Sequence, residues 1–117
     1  MGKKYSNYRN PVIHNFSGPV TCVKNGKDFT ASAGMKLNGL SAIKSGRGAK
    51  VSILLDESAK KGKLCGIIAD GEAEIGITAD KAGITVEIIK GTCTELNADQ
   101  DNVVPAGLSN ISMGIRG

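Results

Sequence analysis

The residues of this sequence that could carry chemistry are few and widely separated. The single histidine, His14, has no second histidine or cysteine at metal-ligand spacing and no serine placed for it to activate. Glu72 and Glu74 share one face of a predicted strand, where neighbouring carboxylates are typically solvated charge and not an acid–base pair. Asp99-x-Asp101-Asn102 resembles the start of a calcium loop but lacks the glycine and the glutamate that such a loop needs. We therefore expect a protein that is not an enzyme, with no catalytic residue, no metal and no cofactor.

The three cysteines, Cys22, Cys65 and Cys93, are an odd number at wide spacing, and no C-x-x-C pair is present. This pattern excludes a complete disulfide framework and the common zinc knuckles. Each cysteine lies in an apolar or threonine-rich segment, where a thiol packs as a small hydrophobic group. The sequence predicts that all three fill the core.

A glycine-rich basic loop runs from Ser45 to Lys50, with the sequence Ser-Gly-Arg-Gly-Ala-Lys. It lacks the G-x-x-x-x-G-K-[ST] spacing of a phosphate-binding loop. A plain turn is the favoured interpretation, and an anionic contact through Lys44, Arg47 and Lys50 is the alternative.

Charge is distributed unevenly along the chain. Residues 1–63 carry a net charge of +9 and residues 64–117 a net charge of −5, which together give the chain its +4. Such polarity steers association with a charged partner or between copies, or marks a half that faces nucleic acid. The charge polarity disappears if folding mixes the two halves of the chain in space. The four aromatic residues all lie before residue 30, which argues against a sheet that stacks bases.

The pattern of short apolar segments and turns predicts a mainly β fold, a small barrel or sandwich. Asn25-Gly26 is the strongest hairpin signal in the sequence. Residues 50–55 predict a strand. Alternating apolar residues predict two further strands, with Ala73, Ile75 and Ile77 on the buried face of the first and residues 84–89 forming the second.

Other stretches are less regular. Residues 34–49 fit either a short helix or loops with short strands, because four glycines interrupt the apolar positions. Asp70-Gly71 predicts a turn. The strand pattern is lost from Gly91 onward, and residues 108–115 are expected to close the sheet.

The beginning of the chain is basic and polar, with two tyrosines and no periodicity. We predict an extended N-terminal arm over residues 1–18 and a β-rich domain over residues 19–117. No apolar run approaches the roughly 20 residues that span a bilayer, and the start lacks a secretory signal, so we expect no membrane and synthesis in the cytoplasm.

Two segments resemble the lambda-type head decoration proteins of tailed phages. Residues 51–58 read as an apolar strand that ends in an acidic loop, and residues 64–73 as a second strand that ends in a Gly-Glu turn. The closing segment from Leu108 to Ile115 is similar to the C-terminal strand of that family. The resemblance implies a β-rich domain that forms a homotrimer on an assembled shell, with an N-terminal arm laid along the major capsid protein. Here the basic arm is longer than that family's, and residues 12–23 are additional.

The leading hypothesis is accordingly a non-enzymatic virion structural protein that binds the exterior of a phage capsid and stabilises it. The arm residues expected to contact the capsid are Lys3, Lys4, Tyr5, Tyr8, Arg9, Val12, Ile13 and Phe16. An unstructured arm of this kind can fold on binding and add a strand to a sheet edge. The alternative is a small basic β-barrel module that binds nucleic acid through the lysines and arginine of residues 36–63.

Overall fold

The structure, a computed structural model, describes residues 2–99, and these residues form eight strands and no helix. The strands are β1 (Lys4–Tyr8), β2 (Val12–Ser17), β3 (Val20–Lys24), β4 (Lys27–Thr30), β5 (Ala42–Ser45), β6 (Lys50–Leu54), β7 (Leu64–Asp80) and β8 (Gly83–Asn97). The mainly β fold predicted from the sequence is confirmed.

All eight strands belong to one antiparallel sheet, organised around the long β7 and β8. β8 lies between β1 and β7. The first half of β7 pairs with β6, which continues to β2, and the second half pairs with β5, which continues to β3 and β4. The sheet therefore branches along β7 into two parts.

One hydrophobic core joins these two parts. Ile13 and Ile53 come from the branch of β2 and β6, whereas Cys22 and Ile43 come from the branch of β3 and β5, and all four are completely buried. Because side chains from both branches share one cluster, the sheet must curl so that its inner face closes around them. A smaller cluster around Leu54 packs beside the loop that follows β6.

The β3–β4 hairpin forms at the predicted position. Lys24 pairs with Lys27 across a turn made by Asn25 and Gly26, whose φ angles are 54° and 75°. Positive φ at both central residues is the geometry of a type I′ turn, which matches the twist of paired strands. Asparagine and glycine adopt this geometry at least cost, which explains why the dipeptide predicts it.

A sharp bend divides β8 into two halves. Tyr5 lies opposite Val86 in the register of β1 and β8, yet its hydroxyl reaches Glu95, nine residues further along β8. Nine residues of straight strand would span ~30 Å, so β8 must fold back over β1. The bend coincides with register shifts opposite Gly91, whose φ is 99° and whose Cα lies so close to β7 that a Cβ atom would meet the Glu72 carbonyl oxygen at 2.7 Å.

The predicted alternation of buried residues is confirmed in both long strands. Ala73, Ile75 and Ile77 of β7 are buried, as are Ile84, Val86 and Ile88 of β8. Residues 50–54 form the predicted strand β6. Between residues 34 and 49 the interpretation as loops and a short strand is confirmed, because β5 is the one strand in this stretch.

Two local predictions are wrong. Asp70-Gly71 is not a turn between strands, because β7 runs through it with an irregular register that absorbs the extra residues. Strand pairing does not end at Gly91, since β8 continues to Asn97. The predicted closing strand over residues 108–115 lies outside the described residues.

The prediction of an extended arm over residues 1–18 is also wrong, because this segment contains the paired strands β1 and β2. β1 pairs with β8 and β2 pairs with β6, so residue 18 is no domain boundary. Tyr5 is 5% exposed and Ile13 is fully buried. Pairing satisfies main-chain groups at two strand edges and removes both side chains from water, which favours a folded segment over a free arm.

Candidate functional site

The most distinctive surface of the described chain is an edge of β8 beyond its bend. Before the bend, β1 occupies this edge, and the Ile88 amide donates a hydrogen bond to the Lys3 carbonyl oxygen just before β1 begins. Beyond the bend, β7 is the one strand among residues 2–99 that pairs with β8, and it lies on one side. We call the other side, along residues 91–97, the open β8 edge.

The strand registers show which main-chain groups face the open β8 edge. The Gly71 amide donates a hydrogen bond to the Ala49 carbonyl oxygen, in line with the β6–β7 register. The main-chain amides and carbonyls of odd-numbered residues in the first half of β7 therefore point towards β6. Even-numbered residues of β7 therefore bond to β8, where their partners are Thr92, Thr94 and Leu96. The amides and carbonyls of Cys93 and Glu95 consequently point away from β7, into the open edge.

A cleft of about 520 Å³ lies beside this edge. Its floor is a polar cluster in which the Tyr5 hydroxyl donates to Glu95 Oε2 at 2.9 Å and lies 3.9 Å from Cys93 Sγ. Lys3 Nζ forms a salt bridge with the same Glu95 oxygen and lies 5.7 Å from the centroid of the Tyr5 ring. The bend of β8 creates this cluster, because it brings Cys93 and Glu95 over the inward-facing side chains of β1.

The electrostatics of the cluster follow from its geometry. Burial raises the pKa of the Tyr5 hydroxyl, and the hydrogen bond to Glu95 raises it further. Hydrogen bonds from Lys3 and Tyr5 lower the pKa of the Glu95 carboxyl, which is therefore ionised and neutralised by Lys3 at neutral pH. Burial raises the pKa of the Cys93 thiol. The cluster thus holds a protonated phenol, a protonated thiol and a closed ion pair, which orient one another without providing an activated nucleophile.

A second cleft of about 440 Å³ lies between the end of β1 and the loop after β6. It is lined by residues 7–10 and 55–58. Asp56 Oδ1 accepts hydrogen bonds from the main chain and the hydroxyl of Ser58, so this carboxylate is already used to shape its own loop. Burial raises the pKa of Tyr8 at the margin of the cleft, and the nearby Asp56 contributes in the same direction.

Another edge of the sheet is formed by strand β4. Its four residues are all exposed, and Phe29 is one of two exposed large hydrophobic side chains in the described chain. β4 pairs with β3 on one side. It carries Lys27 at the hairpin turn and Asp28 beside it, charges that discourage further strand pairing.

The residues predicted to form a capsid-binding arm are divided by the structure into two groups. Tyr5 and Ile13 belong to the protein's own core, and Tyr8 and Phe16 pack against it. Val12 packs against the smaller cluster. The remaining three, Lys3, Lys4 and Arg9, are exposed, and Lys3 is bound to Glu95.

The residues of the predicted anionic contact all lie close to carboxylates. Lys44 is opposite Glu74, Lys50 is opposite Asp70, and Arg47 Nε lies 3.9 Å from Glu72 Oε1. Lys4 is likewise opposite Glu87. Antiparallel pairing therefore brings some cations of the basic first half of the chain opposite carboxylates of the acidic second half, which offsets part of the charge polarity seen along the sequence.

The other residues with potential chemistry remain apart. His14 is half-buried on β2, and Cys22 and Cys65 are buried, as predicted for core fillers. Cys93 is only half-buried. Among residues 2–99, no three His, Cys, Asp or Glu side chains come together as a metal site would require. The same part of the chain has no helix long and apolar enough to cross a bilayer.

Sequence reasoning named Lys3 and Tyr5 but missed their partners Cys93 and Glu95. The available signal was the run Thr92-Cys93-Thr94, a β-favouring segment after the last regular alternation. The contact itself depends on the bend at Gly91, which no local pattern predicts.

The fold defines a small antiparallel β domain, in whose described part the strands β1, β2 and β4 each pair with one other strand and β8 pairs with β7 alone beyond its bend. No family model matches this chain, and no curated protein or solved structure was found to be similar to it.

Proposed function

We propose that this chain is a non-enzymatic structural protein that binds an assembled phage capsid and stabilises it, a decoration protein of the virion exterior. The observation that carries the proposal is the open β8 edge, which has no partner strand among residues 2–99 and lies beside a preformed cleft. Edges of this kind present main-chain donors and acceptors to another chain, which is the chemistry of assembly by strand addition. The resemblance of residues 51–58 and 64–73 to the lambda-type decoration family supports the same proposal.

The folded N-terminal segment changes how such a protein would attach. Because Tyr5 and Ile13 fill its own core, contact with a capsid would use the open β8 edge, the exposed Phe29 and exposed cations such as Lys4 and Arg9, not a free arm. Many identical weak contacts on one shell would then stabilise it through avidity. Association into a homotrimer remains part of the proposal.

Co-sedimentation tests the proposal. The probe is an expanded, DNA-free shell assembled from the major capsid protein of the genome that encodes this chain, with unexpanded shells as the matched control. We expect the purified protein to pellet with expanded shells, to saturate at a fixed ratio, and to raise the temperature at which the shells break. A protein that stays in the supernatant, or a genome that encodes no capsid protein, contradicts the proposal.

A second candidate is contact with nucleic acid through the loop between β6 and β7. Lys60, Lys61 and Lys63 are exposed there and form no salt bridge within the described part of the chain. Binding to phosphates would weaken steeply as salt is raised. Titration of duplex and single-stranded DNA at low salt distinguishes this candidate, because the decoration proposal predicts no measurable binding.

A further inference from the structure

We propose that the open β8 edge binds an extended, uncharged peptide segment as an added antiparallel strand. The inference deepens the proposed function, on which it rests, by assigning this edge to an extended segment of the shell protein. Three features of the edge support it: the main-chain geometry, the lack of edge protection and the cleft.

The main chain of β8 is already set for strand addition. Cys93 and Glu95 each present one amide donor and one carbonyl acceptor to the open edge, since the even-numbered residues between them bond to β7. An antiparallel strand opposite them would complete two hydrogen-bonded residue pairs. β1 occupies the same side of β8 before the bend, which shows that this side accepts an antiparallel neighbour.

The open β8 edge lacks the protection found at the β4 edge. Natural edge strands are protected against further pairing by charges and prolines, and Lys27 and Asp28 provide such charges on β4. The residues from Gly91 to Thr94 carry no charge, and Lys3 neutralises Glu95. Of the described residues that line the cleft, Lys90 is the one charged residue outside the Lys3–Glu95 pair, and it lies opposite Glu74 of β7. The stretch with which an added strand would pair is therefore neutral, so the edge is complementary to an uncharged strand with threonine or valine side chains.

The cleft supplies room for the side chains of the added strand. Residues opposite Cys93 and Glu95 would project into the space of about 520 Å³ that Tyr5 and the aliphatic Ile88 also line. Side chains opposite Thr92 and Thr94 would lie on the outer face, where threonine pairs well with threonine or valine.

The test uses the full chain and the acetylated, amidated peptide Thr-Val-Thr-Val-Thr-Val-Thr as probe. Amide hydrogen exchange by NMR is measured with and without peptide. We expect exchange at Cys93 and Glu95 to slow by at least about tenfold at saturation, while exchange at Thr92 and Thr94 changes little because their amides already bond to β7. Binding without protection of Cys93 and Glu95 overturns the proposal, as does no binding at millimolar peptide.

Matched peptides separate strand addition from nonspecific contact. Two versions carry the same number of N-methyl groups, either on the residues that face the edge or on those that face away. We expect edge-facing N-methylation to weaken binding by about tenfold or more relative to the other version, because it removes inter-strand hydrogen bonds. Equal affinities overturn the proposal. On the protein side, Cys93→Pro removes one edge-facing amide and should abolish binding, whereas Cys93→Val should preserve it.

Other occupants of the edge give different results. Protection of Cys93 and Glu95 that grows with protein concentration in the absence of peptide assigns the edge to a second copy and overturns the peptide proposal. Protection that is present at every concentration without peptide shows that the edge is already covered, and also overturns it. Co-sedimentation with expanded shells without peptide-induced protection overturns only the assignment of this edge and leaves the decoration proposal intact.

Discussion

Replacement of Ile13 by alanine tests whether the N-terminal segment is part of the folded domain. Ile13 has no exposed surface, lies in β2 opposite Ile53 of β6, and belongs to the main core cluster. Truncation of a fully buried isoleucine removes apolar contacts and leaves a cavity, and costs about 3–4 kcal/mol at a site that cannot collapse. β2 is held by its pairing with β6 and by main-chain bonds to Met35 and Gly34, so collapse is restricted.

The loss is a large part of the total stability of a small domain, which is about 5–15 kcal/mol. It corresponds to a decrease in melting temperature of roughly 10–20 °C. The assay is urea denaturation of the full chain followed by circular dichroism, with the midpoint compared at constant m-value. Ile89→Ala is the matched control, because Ile89 is 51% exposed and its truncation should cost less than about 1 kcal/mol. A decrease of less than ~0.5 kcal/mol in the free energy of unfolding for Ile13→Ala would contradict the folded position of β2 and would support a free N-terminal arm instead.

Three further predictions concern the turn, the tyrosine and the thiols. Gly26→Ala forces an L side chain into a φ of 75° and should lower the free energy of unfolding by about 1 kcal/mol. Asn25→Gly should leave the free energy of unfolding nearly unchanged. Equal effects of the two substitutions in urea denaturation would argue against the type I′ turn. The folded-state pKa of Tyr5 is raised above its ordinary value of 10.0, so the folded state holds this proton more tightly than the unfolded state and stability should fall as pH rises above about 10. Tyr5→Phe should flatten that dependence, and an unchanged slope in pH-dependent melting would exclude Tyr5 as its source. Cys93, which is half-buried, should react with a thiol reagent before the buried Cys22 and Cys65, which should react only on unfolding; simultaneous reaction of all three in the native protein would contradict the packing.

Local patterns were sufficient for the parts of the fold that depend on neighbouring residues. The Asn25-Gly26 turn needs positive φ at adjacent positions, and its residue types reveal this directly. The alternation around Ile75 needs only a strand with one buried face. Both features were predicted from a few residues and both are confirmed.

The N-terminal strands could not be predicted this way. In β1, Tyr5 alone is buried among polar neighbours, so the segment has the composition of an exposed arm while a single side chain provides the anchor. Its burial depends on the edge of β8, more than 75 residues away in sequence. The same distance separates the opposite charges that pairing brings together, such as Lys4 and Glu87.

The candidate site was only partly predictable for a related reason. Lys3 and Tyr5 were named from their types, but Glu95 joins them only because β8 bends at Gly91. The bend also shifts the alternation by one residue, so that inward-facing positions change from even to odd numbers. A periodicity of two cannot be followed through such a shift, which is why the strand pattern is lost from Gly91 onward.

Hydrogen exchange of the free protein along β8 tests the central claim, an assembly domain with an open edge, most directly. The account predicts alternating protection in dilute solution, with slow exchange at Thr92, Thr94 and Leu96, whose amides bond to β7, and fast exchange at Cys93 and Glu95, which face the open edge. Uniformly slow exchange across residues 92–96 would mean that no open β8 edge exists. Uniformly fast exchange would mean that the second half of β8 is not paired with β7, and either result would contradict the account.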